Sequence, residues 1–258
     1  MSIDLEKIKE KYEKLSSKAT GNGDGGGFKN TFWNPSEGTN TIRILPAKDE
    51  DTLFYSETKI HRVLRQGNDH TSNVICLEVT EGRGKCPLCD LYRALYKTKN
   101  KAHEELAKKI KPRERYFINV VSRVDPTLPA EVKIFSLGSQ LFQKIIGTIL
   151  DSDFGDITDL ESGFDFKVHK AMVDGYPNYN QSGARPKSSP AGTKQEIAMF
   201  KETMHDLSPF VKAKDYSDVK AIALEIAPPE LANVVSTVET ITKGDKKISE
   251  SDFNKLRA

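Results

Sequence analysis

The chain is poor in thiols, in tryptophan and in long apolar runs: 258 residues hold three cysteines and one tryptophan. No apolar run approaches the roughly 20 residues of a membrane-spanning helix. The start, Met1-Ser2-Ile3-Asp4-Leu5-Glu6-Lys7, lacks the apolar stretch of a secretory signal. A soluble protein of an intracellular, reducing compartment is therefore expected, with no membrane partner. No G-x-x-x-x-G-K-S/T loop is present, which argues against a phosphate-loop motor. Charge of either sign is not in excess, since 39 Lys and Arg face 37 Asp and Glu for a formal net charge of +2. The total charge thus announces no nucleic-acid binder, and only its distribution can. With 37% hydrophobic residues the chain can bury one substantial core, or two small ones, beside polar extensions.

The few thiols are concentrated. Cys86-Pro87-Leu88-Cys89 forms a C-x₂-C knuckle, Cys76 lies ten residues upstream of it, and His61 sits on an earlier apolar run. A Cys₃His set at this spacing reads as a closed metal site, with Zn²⁺ the usual occupant, and it leaves no cysteine over. A redox pair would leave Cys76 unexplained. The imidazole is open at this point: His61 lies in the strand-like Lys59-Ile60-His61-Arg62-Val63-Leu64, His70 in the polar turn Gly67-Asn68-Asp69-His70, and His103 on a helix after the knuckle. Either of the first two can reach the ion if Ile60–Leu64 pairs with Val74–Val79. Four protein ligands leave no open coordination position, so the expected metal shapes the fold and activates no water. The zinc deaminase pattern fails on order, because His103-Glu104-Glu105 follows the cysteines.

Asp4 to Leu15 alternates Lys and Glu around Leu5, Ile8, Tyr12 and Leu15, an amphipathic helical arm expected to span residues 1–19. It either folds back on its own core or docks on a neighbouring subunit. A glycine-rich linker, 20–31, follows. Beyond it, short β-type runs are expected at Asn40–Leu45, Tyr55–Leu64, Val74–Val79, Arg115–Arg123, Glu131–Leu137 and Phe164–Val173. Helices are expected at Asp90–Tyr96 and around Leu141, Phe142, Ile145, Ile146 and Ile149, the latter capped by Ser139. Thr193 and Glu196 predict a capping box for a third. Several short strands with few helical excursions predict a mainly β fold with α additions, an OB-type barrel over residues 32–190, followed by a helical C-terminal region, 191–258.

Charge and aromatics converge in the middle of the chain. Between Lys97 and Arg115, cations such as Lys109, Lys111, Arg113 and Arg115 outnumber acids, a local excess that can follow a phosphate backbone or serve as a solvated face. Tyr92, Tyr96, Tyr116 and Phe117 bracket this stretch, and Tyr176 and Tyr179 stand in the polar segment Gly175-Tyr176-Pro177-Asn178-Tyr179-Asn180 with little core to fill. Strand alternation sends Tyr116 and Phe117 to opposite faces, so one of them is expected in the core. The acidic stretch Asp151, Asp153, Asp156, Asp159, Glu161 and Asp165 could hold Mg²⁺ in a nuclease, but loop carboxylates without a convergent scaffold read as surface.

Thr41-Ile42-Arg43-Ile44-Leu45-Pro46, the His61, Cys76, Cys86-Pro87-Leu88-Cys89 set, Arg115-Tyr116-Phe117-Ile118-Asn119-Val120-Val121 with Asp125-Pro126, and Gly175-Tyr176-Pro177-Asn178-Tyr179 stand in an order that resembles one family. It is the single-stranded DNA-binding protein family of T-even-type bacteriophages, the helix-destabilising gene-thirty-two proteins, over about Phe32 to Gln181. The resemblance implies an OB-fold with an inserted zinc subdomain, about 60–112, one structural Zn²⁺, and His61 rather than His70 as its fourth ligand. It also implies base stacking on Phe117, Tyr176 and Tyr179 and phosphate contacts from Lys109, Lys111, Arg113 and Arg115; Tyr92 and Tyr96, which bracket the basic stretch, are expected beside the groove on their position in the sequence.

A protein of this kind, not an enzyme, would coat single-stranded DNA without strong sequence preference during phage replication, recombination and repair. The setting would be the cytoplasm of an infected bacterial host. Its partners would be neighbouring copies of itself and phage replication and recombination proteins. The chain departs from the family in three places. Phe117 stands where the family has tryptophan, Lys14-Leu15-Ser16-Ser17-Lys18 only loosely matches its cooperativity motif, and Lys246 to Ala258 is not its acidic tail. The alternative is a zinc-stabilised interaction or transcription-accessory module.

Overall fold

A computed structural model describes residues 31–49, 51–65, 67, 71–123 and 130–236. The helical arm, the segment Gly21–Gly27, Lys14–Lys18, His70, Asp125-Pro126 and the stretch from Lys246 lie outside the described residues. Contacts divide the molecule into two units, one joining the residues up to Ser56 with Tyr116–Phe210, the other joining Glu57–Arg115 with those from Val211 onward.

The first unit is a mixed sheet with helices. Its strands are β1 (Phe32–Trp33), β2 (Gly38–Ile44), β5 (Arg113–Ser122, of which Arg113 to Arg115 belong to the second unit), β6 (Val132–Leu137), β7 (Phe164–Val173), β8 (Tyr176–Asn178) and β9 (Gly183–Ser188), since β3 and β4 intervene in the chain. They run in the order β1-β6-β5-β2-β7-β8, with β9 also on β7, and β1 on β6 is the parallel pair. Among the described residues no pairing joins β1 to β8 or β9, so the sheet is open at its ends.

Period-two alternation gives this sheet two different faces. Ile42 and Ile44 of β2, Ile118 and Val120 of β5, and Phe166 and Val168 of β7 share one buried cluster with Leu141, Phe142 and Ile145 of the helix Ser139–Ile149. On the other face Leu45 and Val121 pack with Phe200 and Met204, which belong to and cap the helix Lys194–Thr203. That helix opens with the expected capping box: Thr193 accepts from the Glu196 N–H, and Glu196 accepts from the Thr193 N–H. The earlier helix departs from expectation. Its cap is Gly138 with no side-chain bond, and Ser139 is already inside the first turn.

Arg43 points to the second face and is fully buried. A buried guanidinium is tolerated only when its donors are used. Here Nε donates to Asp165 Oδ1 at 3.0 Å, Nη1 to the Asp159 carbonyl at 3.2 Å, and Nη2 to the carbonyl and hydroxyl of Ser189 at 2.6 and 2.8 Å. One side chain thus ties β2 to β7, to the segment before β7 and to the residue that follows β9. Burial lowers its pKa, against the opposing pull of Asp165.

The second unit holds β3 (Tyr55–Leu64, of which Tyr55 and Ser56 belong to the first unit), β4 (Thr71–Ile75) and the helices α1 (Pro87–Lys97), α2 (Lys101–Ile110), α5 (Tyr216–Ile226) and α6 (Ala232–Ser236); the two sheet-unit helices above are α3 and α4. Ile60–Leu64 pairs antiparallel with Thr71–Ile75 as a hairpin, and the strand expected to reach Val79 stops at Ile75, giving way to a 3₁₀ turn at Leu77–Val79. Pro87 opens α1, where its missing N–H leaves nothing unsatisfied. Asn100 caps α2 by accepting from the Ala102 N–H at 2.9 Å. Leu88, Leu91 and Leu95 of α1 pack with Ala107 and Ile110 of α2 and with Val219, Ile222 and Ala223 of α5. Among the described residues no helix is long and apolar enough to cross a membrane.

Gly163 is the position at which the Arg43 network tolerates no side chain. A Cβ there would collide with the Asp159 carbonyl oxygen and stand 2.6 Å from that of Ile157 and 2.9 Å from Arg43 Nη1. Gly163→Ala is expected to lower stability by about 1–3 kcal/mol, as overpacking does. It should appear as a reduced denaturant midpoint at an unchanged slope. A wild-type midpoint would show that the loop yields freely.

Candidate metal centre and nucleic-acid interface

Four chain segments deliver the metal-ligand set. His61 projects from β3, Cys76 follows the end of β4, Cys86 precedes α1, and Cys89 sits in its first turn. The interruption of the expected strand at Cys76 has a local reason. The 3₁₀ turn, closed by the Val79 N–H to the Cys76 carbonyl at 3.2 Å, turns the chain away just after the sulfur has been delivered. All four residues are buried, and their ligand atoms lie within 4.8 Å of one another.

The distances fit a tetrahedral ion. His61 Nε2 stands 3.5 Å from Cys86 Sγ and 3.6 Å from Cys89 Sγ, and the Cys76 and Cys89 sulfurs are 3.4 Å apart. Tetrahedral zinc with its usual bond lengths requires about 3.55 Å between nitrogen and sulfur and about 3.75 Å between sulfurs. A disulfide would need about 2.05 Å, and the three cysteines are free thiols. The imidazole is also oriented for coordination. Its Nδ1 lies 2.7 Å from the Ile110 carbonyl, which can only accept, so Nδ1 carries the proton and Nε2 presents its lone pair to the sulfurs.

Without a metal the cluster distributes protons unevenly. Burial works to lower the His61 pKa, but hydrogen bonds to Cys76 and Cys86 and the charge on Cys86 outweigh it and push it up to about 9. Hydrogen bonds from Cys76 and Cys89 hold the Cys86 thiol well below its ordinary value, while hydrogen bonds with Cys76 and Cys86, together with burial, push Cys89 up. A buried group of thiols thus calls for positive charge, which a divalent cation supplies. The loop between the cysteines is stapled by charge. Glu78 accepts from the Gly84 N–H at 2.8 Å and from Arg93 at 2.5 Å, and Arg93 also reaches Asp90 at 3.1 Å. Arg93 therefore holds the turn before the knuckle against the helix after it.

Of the alternative imidazoles, His103 is outside the cluster: its Nδ1 lies 2.9 Å from Thr98 Oγ1 and its Nε2 3.2 Å from Glu230. Sequence reasoning missed the Ile110 carbonyl, which every residue type possesses and no motif marks. It also missed Arg93, whose spacing from Asp90 was a visible three-residue signal.

The residues singled out for nucleic acid fall in both units. In the metal unit, Lys109, Lys111 and Arg113 are exposed and Arg115 is half-buried. Tyr96 is exposed, and Tyr92, 5.1 Å from it between ring centroids, packs on the core. In the sheet unit, Tyr176 is 73% exposed on a hairpin whose turn, Asp174-Gly175, takes positive φ at both positions. The segment read as a polar loop is thus partly strand, β8. Tyr179 is half-buried against the sheet core.

Phe117 is 5% exposed, with Phe210 and Phe32 centroids 5.7 and 6.5 Å away. Tyr116, on the opposite face, stacks on Phe142 at 3.8 Å. Alternation separates the two rings as expected, yet both are engaged by protein. In the acidic stretch, Asp151 and Asp156 accept backbone N–H groups two residues ahead, Asp159 those of Glu161 and Ser162, and Asp165 binds Arg43 and Arg123. These carboxylates serve turns and ion pairs, and they do not converge.

No curated protein matches the chain. A protein-family model does, the one described as gp32 DNA binding protein like, over residues 36–226. That span takes in the sheet from β2 onward, the ligand set and the exposed tyrosine hairpin, so the chain belongs to the gp32-like DNA-binding protein family.

Proposed function

We propose that this protein binds and coats single-stranded DNA with little sequence preference, without catalysing a reaction, in phage DNA replication, recombination and repair in the cytoplasm of the infected host. The observation that carries the proposal is the family match across 36–226. Exposed Lys109, Lys111, Arg113 and Tyr176 support it with accessible charge and an accessible ring. We read the open sheet as an OB-type core with the metal unit inserted into it. The N-terminal segment is read as an arm toward neighbouring copies. Duplex melting then follows from mass action: a ligand of the single strand shifts the equilibrium without ATP.

The metal is read as Zn²⁺, held by His61, Cys76, Cys86 and Cys89, whose spacing and donor chemistry fit it. When bound it supplies positive charge to a buried thiolate cluster and fixes the start of α1. Lys109, Lys111, Arg113 and Arg115 are proposed for phosphates, and Tyr176, with Tyr179, Tyr92 and Tyr96, for bases. Phe117 can stack a base only if Phe32 and Phe210 move off its ring.

Binding to single strands should weaken linearly with the logarithm of salt, by a slope of about 0.7 per phosphate contacted. Equal binding of duplex and single strands, or no response to salt, would defeat the proposal in favour of a metal-stabilised interaction module. Tyr176→Ala, at an exposed ring, should weaken single-strand binding by about 5- to 150-fold, the equivalent of one lost stacking contact of about 1–3 kcal/mol. Its thermal midpoint should be unchanged. Unaltered affinity would remove Tyr176 from the interface.

Elemental analysis should find one zinc per chain. Chelation should lower the thermal midpoint by roughly 2–4 °C for each kcal/mol the site contributes in a chain of this size. A metal-free protein as stable as the loaded one would show the site to be dispensable.

A further inference from the structure

The second face of the sheet carries a group of cations at one end of β7 and the exposed tyrosine at the other. In β2 and β7 the register places Arg43 opposite Asp165, Thr41 opposite Lys167, and Thr39 opposite His169. Ile42 and Phe166 point to the buried cluster on the first face, so these intervening residues point away from it. Arg185 of β9 joins the group, because its Nη2 donates to Thr41 Oγ1 at 3.2 Å. Arg123, which directly follows β5, extends it: its backbone N–H donates to the Thr41 carbonyl at 2.8 Å and its Nε to Asp165 at 3.3 Å. His169 Nδ1 lies 2.9 Å from Thr39 Oγ1. At the far end of the same face, Val173 pairs with Tyr176.

Asp165 is the acid at the paired positions of this face in β2 and β7, and Arg43 and Arg123 already neutralise it. The charged groups that face outward are therefore cations: Lys167 and Arg185 are exposed and Arg123 is half-buried, with the His169 imidazole, also half-buried, beside them. From Asp165 to Val173 the face is about 26 Å long at the usual rise of a strand. Cations grouped around Thr41 at one end, hydroxyls beside them and an aromatic ring at the other end of the same face match a single strand of nucleic acid: phosphates on the cations and a base on the ring.

We infer that the outward face of β2, β7 and β9 is a track for single-stranded DNA, in which Lys167 and Arg185 contact phosphates and guide a base onto Tyr176. The track rests on the single-strand reading above and adds residues outside the Lys97–Arg115 stretch. It lies wholly within the sheet unit, so it requires no particular placement of the metal unit. Arg123 is bound to Asp165 and to the Pro190 carbonyl at 3.0 Å, and it acts chiefly by positioning.

The test compares the full chain with the double variant Lys167→Gln, Arg185→Gln and with a control, Lys194→Gln, Lys201→Gln, in α4. Each is titrated with an oligothymidylate at several salt concentrations, and thermal midpoints are recorded. The track predicts that the first variant loses about 1.4 from the logarithmic salt slope, two phosphates at about 0.7 each. Its affinity at low salt should fall at least tenfold, its midpoint should stay that of the parent, and the control should stay within twofold of the parent. A parent that binds while the double variant keeps the same slope and affinity overturns the track and leaves the single-strand reading standing. Equal losses in variant and control overturn it in favour of diffuse charge. A parent that does not bind overturns both. Should the double variant unfold, Lys167→Gln alone, exposed on its strand, is expected to lose about 0.7 from the slope, half the loss of the double variant, and an unchanged slope overturns the track.

Discussion

The metal unit depends on one electrostatic constraint: three sulfurs and an imidazole nitrogen are buried at a single point. Buried polar groups without partners are costly, and buried thiolates more so. The three cysteines share one buried cluster with Leu77, Leu88, Leu91, Leu95 and Ile110, so that cost falls inside the unit's apolar core. The surrounding geometry serves the ligand set. The Ile110 carbonyl sets the tautomer, the 3₁₀ turn after Cys76 frees its sulfur, and Arg93 with Glu78 ties down the approach to Cys86. A metal held by all four residues would keep no position for substrate or water, so its part would lie in shape, fixing where β3, β4 and α1 meet.

The sheet unit solves a different problem. A sheet with one face against α3 and the other partly under α4 must decide where its second face ends and solvent begins. Arg43 marks that boundary. It is charged, yet fully buried, and its donors reach Asp165, Asp159 and Ser189, so it closes the apolar region with a saturated hydrogen-bond set. Beyond it the face turns to Thr41, Lys167 and His169 and opens to water. Asn119 plays a similar part nearer α4, exchanging hydrogen bonds with the backbone of His205 from both ends of its amide.

Much of this was legible in the sequence where local chemistry decides the outcome. Phe164–Val173 and Tyr55–Leu64 appear as strands with the expected bounds, because alternation of apolar and polar residues admits one solution. Thr193 and Glu196 make the capping box that their spacing predicts. The ligand set was readable because few arrangements use every cysteine. What was not legible depends on tertiary partners. Ser139 looked like a cap, but Gly138 takes that position, since the strand before it sets where the chain turns. Phe117 looked available, but Phe210 covers it from a segment far along the chain. Arg43 looked like any cation in a strand, and nothing in its neighbours announced that Asp159 and Ser189 would receive it.

These two constraints divide the labour that single-strand binding would need. A protein that competes with base pairing must offer charge and ring faces already in place, because ordering them on binding would subtract from the affinity that holds the strands apart. In the sheet unit that order comes from the β2, β7 and β9 ladder, whose register holds Thr41, Lys167 and Arg185 side by side before any ligand arrives. In the metal unit it comes from the ligand set, since α2 and the basic segment after it are anchored through Ile110, whose carbonyl holds His61. Lys111 directly follows that anchor, and Arg113 opens the strand that leads from one unit into the other. Losing the metal would thus act on nucleic acid indirectly, by loosening the helix that presents these cations, while the sheet's own group of cations would keep its spacing.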